Sequence, residues 1–133
     1  MKRLLAIGAG LLLAASMGLA QTVTPPTKDA IKRFPLQKTE YPDGHVIQMV
    51  VVEFEPGAVV ARHTHPGVET SYVLEGELQL AIEGKGPMTL KAGESFAVPV
   101  GTPHEAKAGA KTTRVLVTYV VDKTKPTATP APK

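Results

Sequence analysis

From residue 45 onward, short apolar runs rich in Val, Ile and Leu alternate with Gly and Pro punctuation. The run His45–Phe54 is dense in β-branched residues and stops at Pro56-Gly57, so it reads as a strand ended by a turn. Thr70–Leu74 and Glu77–Ile82 flank Glu75-Gly76, a pattern that predicts a hairpin with a tight turn. Met88–Leu90 is a short strand, Lys91 to Glu94 reverses the chain, and Ser95–Val98 is a further strand broken by the Pro- and Gly-containing stretch 99–103. Thr113–Val121 closes the series. Only Thr27–Arg33 approaches a helical apolar period. Many short strands at regular spacing predict an all-β sandwich or barrel over residues 41–121.

The flanks read differently. Lys2 and Arg3 precede an unbroken apolar run, Leu4–Ala15, and small residues follow at Gly18-Leu19-Ala20, the pattern of a secretory signal peptide over residues 1–20. The run is short for a bilayer span, and no cysteine follows it to accept a lipid, so no stable membrane anchor is expected after signal removal. Residues 21–40 read as a flexible leader and 122–133 as a disordered Pro/Thr/Ala-rich tail. The expected location is periplasmic or secreted.

Removal of the leader changes the charge reading. The whole sequence has 15 basic and 12 acidic residues, and without Lys2 and Arg3 the basic excess falls to one. A near-neutral body with scattered lysines carries no footprint for nucleic acid. With no cysteine there is no disulfide framework, and a metal site would have to use nitrogen and oxygen ligands.

The sequence has four histidines, and two stand at 63 and 65, one residue apart. On a strand, residues i and i+2 project to the same face, so both rings can reach one ion while Thr64 faces away. Glu69 follows Pro66-Gly67 and can face the same space together with Ser71 and Val73, whereas Tyr72 has the opposite parity. His104 follows a second turn. His45, beside the Pro42-Asp43-Gly44 turn, reads as an exposed turn residue, and of Gln48 and Glu53, which fall on opposite faces of their strand, only one can point inward.

The spacing Gly57-x5-His63-x-His65-x3-Glu69-x6-Gly76 fits the first motif of the cupin superfamily at every fixed position. Gly93-x5-Pro99-x-Gly101-x2-His104 fits the second as far as its histidine, and Ala108 stands where that motif usually ends in Asn. The chain therefore resembles a small, single-domain bacterial cupin. The resemblance implies a single jelly-roll β-barrel with a metal held by His63, His65, Glu69 and His104, and it implies a homodimer. Three imidazoles and a carboxylate suit a divalent transition metal and disfavour Mg and Ca. For a site formed after export, Cu or Zn is favoured over Mn, Fe or Ni. Four protein ligands leave a coordination position open, which is a catalytic arrangement. The functional expectation is a metal-dependent, oxygenase-like (dioxygenase-like) enzyme acting on a small organic molecule, with Glu69 as both ligand and proton acceptor. The alternative is a non-catalytic periplasmic module that binds a small molecule or the metal itself.

Overall fold

Alternation of buried and exposed positions is clearest in two strands, Gly67–Glu75 and Thr113–Asp122, and these lie side by side in the middle of a sheet. The computed structural model describes residues 30–133 and contains ten strands. They are β1 (Ile31–Tyr41), β2 (His45–Phe54), β3 (Val59–Thr64), β4 (Gly67–Glu75), β5 (Glu77–Ile82), β6 (Met88–Lys91), β7 (Ser95–Val98), β8 (His104–Ala108), β9 (Thr113–Asp122) and β10 (Thr129–Pro130). They form two antiparallel five-stranded sheets, β1-β2-β9-β4-β7 and β10-β3-β8-β5-β6. This is the expected all-β architecture, consistent with a jelly roll. Among the described residues no helix is long and apolar enough to cross a membrane.

Register determines what faces inward. Val52, Val115 and Val73 lie directly opposite one another on β2, β9 and β4, and all three are buried. With Phe54, Ala58, Leu78, Ala108 and Val117 they form one continuous apolar core that closes one end of the barrel. Leu80, Ile82 and Val98 form a second group, and Leu90, Phe96 and Ala106 pack against both. Ala108, at the position where the second motif usually carries Asn, is part of that apolar floor, and its N–H donates to the Ala58 carbonyl (2.9 Å).

Three sequence expectations need correction. Glu75-Gly76 is not a hairpin turn: β4 pairs with β7 and β9, while β5 belongs to the other sheet and pairs with β6 and β8. The chain turns a corner between sheets there. Gly76 has φ +79° and a Cβ would overlap the Thr112 carbonyl, so glycine is required by the corner itself. The leader assigned to residues 21–40 is in fact strand β1 from Ile31 onward, paired with β2 over its length; residues 21–29 lie outside the described residues. Its sequence shows no alternation because it is an edge strand exposed nearly throughout, and a bulge between Pro35 and Gln37 absorbs the proline. The same segment excludes a helix at Ile31–Arg33.

The third correction concerns the end. Residues 122–133 do not read as packed, yet β9 runs through Asp122, and β10 pairs with β3 at the edge of the second sheet. Pro130 and Pro132 alternate with Ala131, whose N–H donates to the Arg62 carbonyl (3.1 Å). Proline at every second position of an edge strand removes only N–H groups that would point away from the ladder. Residues 1–20, expected from sequence to be a signal peptide, lie outside the described residues.

Candidate metal centre

β3 delivers His63 near its end, and His65 follows it immediately. The chain then crosses to the other sheet, where Glu69 stands on β4, and His104 opens β8 directly opposite His63. All four expected ligands converge. Their ligand atoms lie within 4.8 Å of one another, and His65, Glu69 and His104 are buried.

The orientation of each ring follows from its other nitrogen. His63 Nδ1 donates to the Ala61 carbonyl (2.8 Å), His65 Nδ1 to the Thr127 carbonyl (2.5 Å) and His104 Nδ1 to the Thr102 carbonyl (3.0 Å). A carbonyl can only accept, so each Nδ1 carries the proton and each Nε2 presents a lone pair. The Nε2 atoms of His63 and His65 face each other at 3.2 Å, and Glu69 Oε2 lies 2.9 Å from His65 Nε2 and 3.4 Å from His104 Nε2. His104 Nε2 is buried with no hydrogen-bond partner. Lone pairs and a carboxylate brought together this closely repel unless a cation or protons lie among them. Bonds of ~2.1 Å to one ion place neighbouring ligand atoms roughly 3.0–3.4 Å apart, and the distances of 2.9, 3.2 and 3.4 Å within this cluster are close to that. The residues present therefore fit a divalent transition metal.

The electrostatics agree. Burial would raise the Glu69 carboxyl, but the contacts with His104, His65 and Ser71 prevail and hold it down at about 2. Ser71 Oγ donates to Glu69 Oε1 (2.8 Å), as the shared strand face requires. Burial keeps His63 below the ordinary imidazole value. For His104 burial acts in the same sense, but the Glu69 carboxylate and the Thr102 carbonyl overcome it and raise the group.

The remaining candidates separate cleanly. His45 stays apart, its Nδ1 bonded to the Asp43 carbonyl (3.1 Å). Tyr72 is exposed on the outer face. Gln48 is the inward residue of its strand and Glu53 the outward one, paired with Lys32 and Arg114. Sequence reasoning left Gln48 undecided against Glu53 and passed over three residues of the neighbourhood: Tyr119, Thr127 and Arg33. Gln48, Tyr119 and Glu69 are successive register partners across three strands, so strand pairing would have located them. The Tyr119 ring lies 4.8 Å from that of His65, and burial together with the Glu69 charge pushes its hydroxyl up.

Two spaces adjoin the cluster. A cavity of about 50 Å³ beneath it is walled by apolar core residues such as Val52, Phe54 and Leu78. A mouth of about 590 Å³ opens above it, bordered by Arg33, Gln48, His63, His65, Tyr119 and Thr127. Arg33 borders both spaces and forms no ion pair among the described residues.

Residues 50–120, just over half of the sequence, match the cupin domain family, and the chain belongs to that family. It is similar in fold to the DMSP lyase DddQ from Ruegeria pomeroyi DSS-3 (TM-score 0.67, 24% identity, 77% of this chain and 52% of the lyase). A recombinant oxalate oxidase in complex with glycolate is 26% identical (TM-score 0.62, 78% of this chain and 56% of the oxidase). Part of the HTH-type transcriptional regulator PuuR of Escherichia coli (strain K12) is 39% identical over 59 residues, which is 44% of this chain and 31% of the regulator. The chain thus spans about a third of that regulator and about half of the lyase.

Proposed function

We propose that this protein is an exported, metal-dependent enzyme, oxygenase-like in type, that acts on a small organic acid. The observation that carries the reading is the convergence of three Nε2 lone pairs and the Glu69 carboxylate, with His63 and His65 bordering an open mouth. His63, His65, Glu69 and His104 would hold a divalent transition metal, which would supply Lewis-acid chemistry toward a substrate oxygen. Arg33 offers an uncommitted positive charge at the mouth for a carboxylate, and Glu69, hydrogen-bonded to Ser71, is placed to take a proton. The likeness to an oxalate oxidase solved with glycolate supports a small acid as the substrate class. Export rests on the pattern of residues 1–20 and favours Cu or Zn.

The partial match to a transcriptional regulator favours a second reading, a barrel that binds a small ligand without converting it. Incubation of metal-loaded protein with pools of hydroxy acids, keto acids and phenols, in air and under nitrogen, separates the two. Conversion of an acid that falls sharply in Arg33→Ala supports the enzyme; stoichiometric retention with no product supports the binding module.

Two copies pair, in this reading, through the outer face of the first sheet. Phe34, Val51, Leu116 and Tyr72 stand in one register row there, and Phe34 and Tyr72 are more than two-fifths exposed.

A further inference from the structure

Of the three ring nitrogens that orient the ligand histidines, two bond to carbonyls two residues earlier in the same strand or turn. His65 is different: its acceptor, the Thr127 carbonyl, is 62 residues away. Thr127 belongs to the segment that follows β9. The Asp122 carboxylate turns the chain by accepting from the Thr124 N–H (2.9 Å) and hydroxyl (2.7 Å), and Lys123 is tied to the Gly44 carbonyl (3.0 Å) and to Glu40 (2.7 Å). The chain then passes the cluster, and the Thr127 hydroxyl meets Gln48 Nε2 at 3.5 Å. Beyond it, Thr129 and Pro130 pair with Thr64 and His63 on β3. Arg62 fastens the far end, its Nε donating to the Pro132 carbonyl (2.9 Å).

We infer that residues 123–132 form a strap that is part of the metal centre, with the Thr127 carbonyl as the positioning group for ligand His65. The inference rests on the reading that the cluster binds a metal. Without the strap, His65 Nδ1 has no partner to fix its tautomer, and the ring is free to turn its protonated nitrogen toward the site. The prolines at 126, 130 and 132 restrict the strap to extended conformations, so little entropy is lost in holding it closed. The strap also supplies one wall of the mouth, through Thr127 to Pro130. Anything entering the mouth meets its backbone as well as the ligands.

The test measures the dissociation constant for Zn and for Cu by chelator competition, with folding followed by circular dichroism. Arg62→Ala, which removes the side-chain tie and leaves only the Ala131 N–H bond and the β10–β3 pairs at the far end, should weaken both metals, up to the ~10–100-fold that loss of an outer-shell partner costs. A chain ending at Lys125 should lose at least as much. Glu83→Ala, which breaks only the Arg62–Glu83 ion pair, should bind as the full chain does. Because the sequence has no cysteine, Thr64→Cys with Thr129→Cys creates a single defined disulfide between register partners. Added to Arg62→Ala, that disulfide should restore affinity when oxidised and lose it on reduction. A fold defect or a direct disturbance of His63 would not show that redox-dependent rescue. Full-chain affinity in Arg62→Ala would overturn the strap while leaving the metal site intact. Absence of Zn and Cu binding by the full chain would overturn both.

Discussion

His104 is the ligand whose Nε2 is buried with no hydrogen-bond partner, so its removal tests the site most directly. His104→Ala should weaken Zn or Cu binding at least about a hundredfold, beyond the ~10–100-fold range of an outer-shell change. His45→Ala, whose ring bonds only to its own turn, should leave affinity unchanged. Competition titration of both variants checks this; equal affinity in His104→Ala would show that the four residues do not act together. Protons compete for the same lone pairs. Glu69 raises His104 in the metal-free protein and so strengthens the proton as a competitor, and affinity should rise with pH through the imidazole range. The two groups have opposite effects on the metal-free fold. Glu69, lowered from 4.5 to about 2, adds stability that is complete above its ordinary value and fades as pH falls toward about 2. His104 adds stability that is present below its ordinary value and fades as pH rises through its raised one. Melting temperature against pH, with and without metal, reads both.

At the scale of elements, the floor of the barrel depends on residues that alternate strictly along their strands. Leu78 on β5 is almost fully buried and touches both the core and the interior cavity. Leu78→Ala should cost ~2–5 kcal/mol, since a void there has no neighbour free to collapse into it; urea unfolding would measure it, and a loss below ~1 kcal/mol would mean the floor is loosely packed. Strands of this kind are legible in sequence because burial on one face imposes a period of two. Thus β2, β5 and β7 begin and end where the apolar pattern does, and Glu69 and Ser71 fall on the face that parity assigns them. Where an edge strand is exposed on both faces, as β1 and β10 are, the constraint disappears. Ile31–Tyr41 and Thr129–Pro130 hold their places through ladder hydrogen bonds and a few side-chain ties, which leave no apolar alternation to read. Strand β8 was hidden for a related reason: His-Glu-Ala-Lys-Ala has no β-branched residue, and its extended form is set by β3 and β5 on either side. The ligands were found through their spacing, while Thr127 and Tyr119 act through contacts between segments far apart in the chain, which spacing does not encode.

At the scale of the whole molecule, the pairing proposed through the apolar row on the outer face of the first sheet predicts an oligomeric state. Light scattering across a dilution series should give twice the monomer mass, and Tyr72→Glu should shift it to the monomer with the circular dichroism unchanged. A Tyr72→Glu protein that remains dimeric would locate the contact elsewhere, with the β1 edge as the next place to look. Strand β9 has a further consequence. Among the described residues it is the middle strand of the first sheet and the link between β2 and β4 in the ladder order, although it comes after both in the chain. A nascent chain that has emerged only as far as residue 110 can form no link between those two strands, so the sheet that carries Glu69 stays open until residues 113–122 follow. Such non-local closure is slow. The ions present where β9 finally docks are therefore the ones a metal site on this sheet samples first.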